Sequence, residues 1–296
     1  MIKLNHILKV ENLSCFYENG DGIKNISFEL NSGDFLALIG KSGAGKSTLI
    51  NSILGILPLT EGEVLIADDL SSKDISFSPQ NQAIDWYLNV FDNIYMEALF
   101  DGYSNAKAET IHALNKIGLE GKEKEDPTNL SGCQLQRVQL ARQLVSNAKV
   151  LILDEPTSSL DVITSEKILD QLKDKTQEGK VCLISSHDLD MLERYCNKVL
   201  YIENGNLIFF GEINHFLEQY NRLNEYKVNY EGHLSKELEK NIAAHFNVIA
   251  WHPLTVEVNN GESINAILKL LIDHDIAIHA VEQNKRSLKE IIKLKG

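Results

Sequence analysis

Apolar residues gather along this chain in short unbroken runs. Phe35-Leu36-Ala37-Leu38-Ile39, Val150-Leu151-Ile152-Leu153 and Val181-Cys182-Leu183-Ile184 hold no charged or strongly polar position. Runs of this length predict strands buried on both faces, as in a parallel sheet. Residues 8–12 and 26–30 also read as strands, as do Val64–Ile66 and Ile75–Phe77. Ser47 to Leu57 has no proline and stops before Pro58, as a helix does. The stretch from Asn81 to Ser146 predicts mainly helix, punctuated by Gly102 and Gly118. Within it, Ser131 and Gln134 stand at capping-box spacing, opening a helix to about Val145. Helices to about Glu178 and over Leu189–Cys196, then strands Val199–Glu203 and Asn206–Phe210, close this unit. The tail predicts a small α/β unit. Its strands are Tyr226–Tyr230, Thr255–Val258 and Ile276–Glu282, and its helices Ser235–His245, Ser263–Leu271 and Ser287–Leu294.

At 296 residues the chain makes one large domain or two, of ordinary globular composition. The first residues hold no long apolar core, so no signal peptide is expected, and no run approaches the ~18 residues of a membrane span. Four scattered cysteines without a C-x-x-C pair fit a reducing cytosol and no zinc site. The net charge of −13 is unevenly placed. From Glu225 onward, 9 basic residues face 10 acidic ones, so the excess acid lies before it. An acidic surface argues against nucleic acid as a partner and against adsorption to an anionic leaflet. At a membrane, another protein would have to hold this one.

Between the first buried run and the helix after it lies Gly40-Lys41-Ser42-Gly43-Ala44-Gly45-Lys46-Ser47-Thr48. This is a phosphate-binding loop in its required strand-to-helix setting. Its glycines let successive N–H groups turn inward, and the helix N-terminus completes an anion cradle. Lys46 reaches β/γ-phosphates and Ser47 is placed to ligate Mg²⁺. Tyr17, 23 positions before Gly40, is a candidate to stack on a purine. The second buried run ends in Asp154-Glu155, where α/β sheets place ligand chemistry. If the strand continues, the two carboxylates point to opposite faces, one toward Mg²⁺ and one toward a water. The third run ends in Ser185-Ser186-His187, making His187 a candidate γ-phosphate contact. Ser131 opens a second helix N-terminus, although capping alone also explains it. The five histidines of the tail are irregularly spaced and suit surface or core roles better than a metal site.

Taken together, Tyr17, GKSGAGKST, Gln80, LSGCQ, LILDEP, SSLD and His187 resemble, in order and spacing, the ATPase subunits of ABC transporters. The resemblance covers about residues 8–215. One motif set is present, and the 85 positions from Lys46 to Ser131 leave no room for a long coiled coil. The resemblance implies an α/β phosphate-loop NTPase core over 1–222, with an antiparallel β part and a helical subdomain at about 82–146. A small C-terminal α/β domain follows over 223–296. It further implies that two subunits pair head to tail over two ATP molecules. Residues 40–48 would bind phosphates, Tyr17 adenine, and Ser47, Gln80 and Asp154 the Mg²⁺. Glu155 would be the general base and His187 a γ-phosphate contact, with Gln80 completing the catalytic set. Ser131, Gly132 and Gln134 would face the ATP of the other subunit, with Asp161 at that interface.

A separately encoded permease would hold the subunit at the inner face of the cell membrane, on the cytoplasmic side. Trp86, Tyr87 and Phe91 are candidates either for that docking groove or for the core of the helical subdomain. The tail, like the stretch SPQNQAIDWYLNVFDNI, is similar to ATPases of drug, antibiotic or polysaccharide exporters. An importer ATPase and a non-transport ABC ATPase are the alternatives. Three residues depart from the family pattern. Cys133 replaces the second signature glycine, Ser159 replaces a small residue, and Leu135 stands where a polar residue is usual, suggesting a contact with permease or partner.

Overall fold

A computed structural model describes residues 6–67, 70–220, 223–259, 264–284 and 286–295. The chain divides into two compact units that meet between Ile213 and Asn214. The expected boundary lay at 222/223, and residue 222 falls outside the described residues.

The first unit begins with β1 (His6–Phe16), β2 (Gly22–Asn31), β3 (Phe35–Ile39), α1 (Lys46–Ile53), β4 (Glu61–Ile66) and β5 (Ile75–Ser78). Three helices follow, α2 (Val90–Phe100), α3 (Ala106–Lys116) and α4 (Gly132–Val145). Then come β6 (Val150–Asp154), α5 (Val162–Gln177), β7 (Val181–Ser185), α6 (Leu189–Tyr195), β8 (Lys198–Glu203) and β9 (Asn206–Glu212). Among the described residues these strands form one sheet in the order β4-β1-β2-β9-β8-β3-β7-β6-β5. From β8 to β5 the neighbours run parallel. β1 is antiparallel to β2 and to β4.

Every residue of β3, β6 and β7 is buried, as their unbroken apolar runs require. Their parallel register decides where chemistry gathers. Ser185 pairs with both Leu38 and Asp154, so the carboxyl ends of all three strands open on one edge. That edge is where open α/β sheets hold ligands.

Two sequence expectations need correction here. α1 stops at Ile53, short of Leu57. Gly55 takes φ +69°, and the N–H groups of Ile56 and Leu57 turn back to the carbonyl of Asn51 at 2.9 and 3.2 Å. A left-handed glycine ends helices in this way. Residues 81–89 are not helical. The buried Asn93 side chain donates to the carbonyls of Asp85, Leu88 and Asn89, which fastens this segment in an irregular path. Asn89 then caps α2 by accepting from the N–H of Asp92 at 2.8 Å.

The second unit takes in most of α7 (Ile213–Tyr220), then β10 (Leu223–Tyr230), α8 (Lys236–His245), β11 (Asn247–Trp251) and β12 (Leu254–Asn259). It ends with α9 (Asn265–Asp273), β13 (Ile278–Asn284) and α10 (Leu288–Lys295). From β10 onward the order is β-α-β-β-α-β, and the strands form an antiparallel sheet β11-β12-β10-β13. This is the split β-α-β arrangement. Val228, Val256, Leu238, Ile242, Ile267 and Leu271 make its core. β11 was not anticipated, and Ser263, the expected start of a helix, lies outside the described residues. Among the described residues no helix is long and apolar enough to cross a membrane, and no cluster of metal-ligating side chains occurs.

Candidate functional site

The phosphate loop lies tight against its neighbours at its two ends, Gly40 and Gly45. A Cβ on Gly40 would sit 2.5 Å from the carbonyl oxygen of Ile202. One on Gly45, whose φ is +107°, would sit 2.6 Å from Cγ2 of Ile23. Both positions therefore require glycine. Gly45 caps α1 without a side-chain hydrogen bond, which leaves the first-turn amides for a ligand. Lys46 Nζ donates to the carbonyls of Gly40 and Lys41 at 2.8 and 3.1 Å, leaving a third donor for an anion. Burial pulls the pKa of Lys46 down, against the attraction of Glu155 and Asp154.

Asp154 is held on both oxygens. Ser47 Oγ donates to Oδ2 at 3.3 Å and Ser185 Oγ to Oδ1 at 2.5 Å. The strand does not continue past it. Glu155 takes φ +50°, and its N–H donates to the carbonyl and hydroxyl of Ser185 at 3.2 and 3.0 Å. The two carboxylates thus do not splay to opposite faces: both line one cleft of about 830 Å³. Burial raises the Glu155 pKa, while the charge and backbone N–H of His187 oppose the rise. Its Oε1 is 3.4 Å from His187 Nε2 and buried, yet accepts no well-formed hydrogen bond among the described residues.

The same cleft is lined by Tyr17, Ser42, Gly43, Gly45, Ser47, Thr48, Gln80 and His187, together with Lys46. The Tyr17 hydroxyl stands 3.3 Å from that of Thr48. Gly40, Lys41 and Ala44 do not line it. The first two offer their carbonyls to Lys46, and Ala44 is buried at 5% exposure. Ser47, Asp154 and Gln80 supply a hydroxyl, a carboxylate and a carboxamide, the hard oxygen donors that Mg²⁺ takes.

Ser131, Gly132 and Gln134 lie outside this cleft. They form the N-terminus of α4, where the capping box is complete. Ser131 Oγ accepts from the N–H of Gln134 at 3.3 Å, and Gln134 Oε1 accepts from the N–H of Ser131 at 2.9 Å. Cys133 is exposed, and its thiol donates to the carbonyl of Ser159 at 2.7 Å. Leu135 is only 6% exposed, so it packs inside its own subunit instead of offering an outside contact. Tyr87 is 99% exposed and Trp86 half-exposed, so neither is core, while Phe91 stacks on Tyr95 at 5.2 Å.

Four polar residues near the site escaped the sequence reading. Ser185 orients both acidic residues. Gln136, Gln139 and Gln143 are buried on α4; the first two reach Pro156 and Pro79, just past the ends of β6 and β5, and the third reaches Phe77 within β5. The signal for them was their spacing of three and four, which is one stripe of a helix.

This fold and this loop define an α/β phosphate-loop ATPase. The family model described as ABC transporter matches residues 23–158. The chain is 36% identical over 221 residues to the manganese transport system ATP-binding protein MntB of Halalkalibacterium halodurans, covering 71% of this chain and 88% of that one. It is 33% identical over 220 residues to the SkfA peptide export ATP-binding protein SkfE of Bacillus subtilis, covering 72% and 92%. A dimeric ATP-binding cassette solved in a post-hydrolysis state with ADP and Pi superposes with a TM-score of 0.62 at 28% identity, over 70% of this chain and 98% of that one. The chain belongs to the ABC transporter ATP-binding family. It is an ATP hydrolase, the ATP-binding subunit of a transporter.

Proposed function

We propose that this subunit powers an exporter through a head-to-tail pair of ATPase subunits. One observation carries the reading of the site. Glu155 lines the phosphate cleft, and its buried Oε1 accepts no well-formed hydrogen bond among the described residues. A buried carboxylate oxygen left in this state calls for a water. Glu155 then takes the proton of the attacking water, and His187 steadies that carboxylate while contacting the γ-phosphate. Lys46 and the loop amides hold the β/γ-phosphates, and Tyr17 stacks on adenine. Ser47, Gln80 and Asp154 would hold Mg²⁺, which would neutralise phosphate charge. Ser131, Gly132 and Gln134 lie away from their own cleft, which supports their use on the nucleotide of a second subunit.

A separately encoded permease seats the pair at the inner face of the membrane, and the exposed Trp86 and Tyr87 are candidates to contact it. The exporter direction is supported by the likeness of the tail to exporter ATPases and by the peptide-export relative. The manganese-transport relative keeps import as the second reading. Purifying the tagged chain from detergent-solubilised membranes and identifying its companion tests both. A permease whose presence stimulates ATP turnover without a solute-binding protein supports export. Turnover that requires such a binding protein supports import.

A further inference from the structure

We propose that Gln136 and Gln139 are positioning residues through which the signature helix α4 sets Glu155 and Gln80 of its own subunit. The proposal rests on the catalytic roles given above to those two residues. Gln136, Gln139 and Gln143 are 3%, 2% and 4% exposed. A buried carboxamide is costly unless hydrogen-bonded, so each must be answered by a partner. The partners are not arbitrary.

Gln136 Nε2 donates to the carbonyl of Pro156 at 3.1 Å, one residue beyond Glu155. Glu155 occupies the left-handed region at φ +50°, which a residue with a side chain holds only when its surroundings fix it. Ser185 fixes it from one side through the N–H of Glu155, and Gln136 fixes it from the other through Pro156. Gln139 encloses Gln80 in the same way. Its Nε2 donates to the carbonyl of Pro79 at 2.7 Å and to Oγ of Ser78, the last residue of β5, at 2.9 Å, and its Oε1 accepts from the N–H of Ala83 at 2.7 Å. The loop that carries Gln80 is thereby pinned on both sides.

Gln143, one turn further on, accepts from Ser76 Oγ and donates to the carbonyl of Phe77, inside β5 and away from Gln80. It shares the burial and chemistry of the other two, but its partners Ser76 and Phe77 are not next in sequence to Glu155 or Gln80. A shift of α4 at its N-terminus therefore reaches Glu155 and Gln80 together. Contact between the signature and the partner's nucleotide is read out in the cleft of the subunit that owns the signature.

The test compares Gln136→Met, Gln139→Met and Gln143→Met in the full chain, with Glu155→Gln as a reference. Thermal midpoint, ATP affinity with and without Mg²⁺, and turnover per folded molecule are measured for each. Gln136→Met is expected to lower kcat about 10–100-fold with ATP affinity within about twofold. Gln139→Met is expected to cut the gain in nucleotide affinity that Mg²⁺ brings, by about tenfold. Gln143→Met should lower the midpoint alone. If either methionine variant does not fold, Gln136→Asn or Gln139→Asn, with the amide kept but the reach shortened, takes its place. All three variants losing only stability, with unchanged kinetics and Mg²⁺ response, overturns the proposal. If Glu155→Gln itself keeps normal turnover, the base assignment falls instead, and the two failures are told apart.

Discussion

Glu155 and His187 meet twice beside the phosphate loop. The backbone N–H of His187 donates to Oε2 of Glu155 at 3.2 Å, while its Nε2 stands 3.4 Å from Oε1. Burial lifts the pKa of this carboxyl above 4.5, and His187 is the main force in the other direction. A general base works only when ionised, so kcat should fall on the acid side at a pH above the usual carboxylate range. His187→Ala removes the opposing charge but keeps the backbone N–H. It should lower kcat and move the acid limb of the kcat–pH profile to higher pH. An unmoved limb would detach His187 from the titration of Glu155.

Cys133 is the exposed cysteine at the signature, whereas Cys15, Cys182 and Cys196 are buried. Brief treatment with a maleimide should label Cys133 alone, as read by mass spectrometry of the intact chain. Addition of ATP to Glu155→Gln should protect it, because the paired state covers the signature. Labelling at the same rate with and without ATP would place Cys133 outside the interface.

Lys180 tests a structural joint. Its Nζ donates to the carbonyl of Ser146, which ends α4, at 2.8 Å. Burial lowers its pKa from 10.5 to about 8. The folded chain therefore binds fewer protons than the unfolded chain between about pH 8 and 10.5. Stability from this group must rise with pH through that window and stay flat below it. Subtracting the denaturation profile of Lys180→Met from that of the parent should leave this upward slope. A flat difference would mean that the ammonium is not held in the buried position.

The parts of the fold that rest on strong local signals were legible in the sequence. β3, β6 and β7 are unbroken apolar runs, and burial on both faces leaves no other reading. The glycines at 40 and 45 announced a turn where side chains would collide. What the chain pattern did not show depends on partners distant in sequence. Glu155 leaves the strand because Ser185, thirty residues on, captures its N–H. Gln136 and Gln139 look like ordinary polar residues of a helix until the strand ends they answer are placed beside them. β11 is the exception, a local element that pairs with β12 across a two-residue turn at His252-Pro253 and was nonetheless missed.

The direct test of the site is ATP turnover by Glu155→Gln, measured on the purified full chain alongside its oligomeric state with ATP and Mg²⁺. The arrangement of Glu155, His187 and the phosphate loop predicts a fall in kcat of about 10²–10⁴-fold. ATP binding should be kept, with a stable ATP-bound dimer. Steady-state hydrolysis near the parent rate would contradict the role of Glu155 as the base and, with it, this account of the cleft.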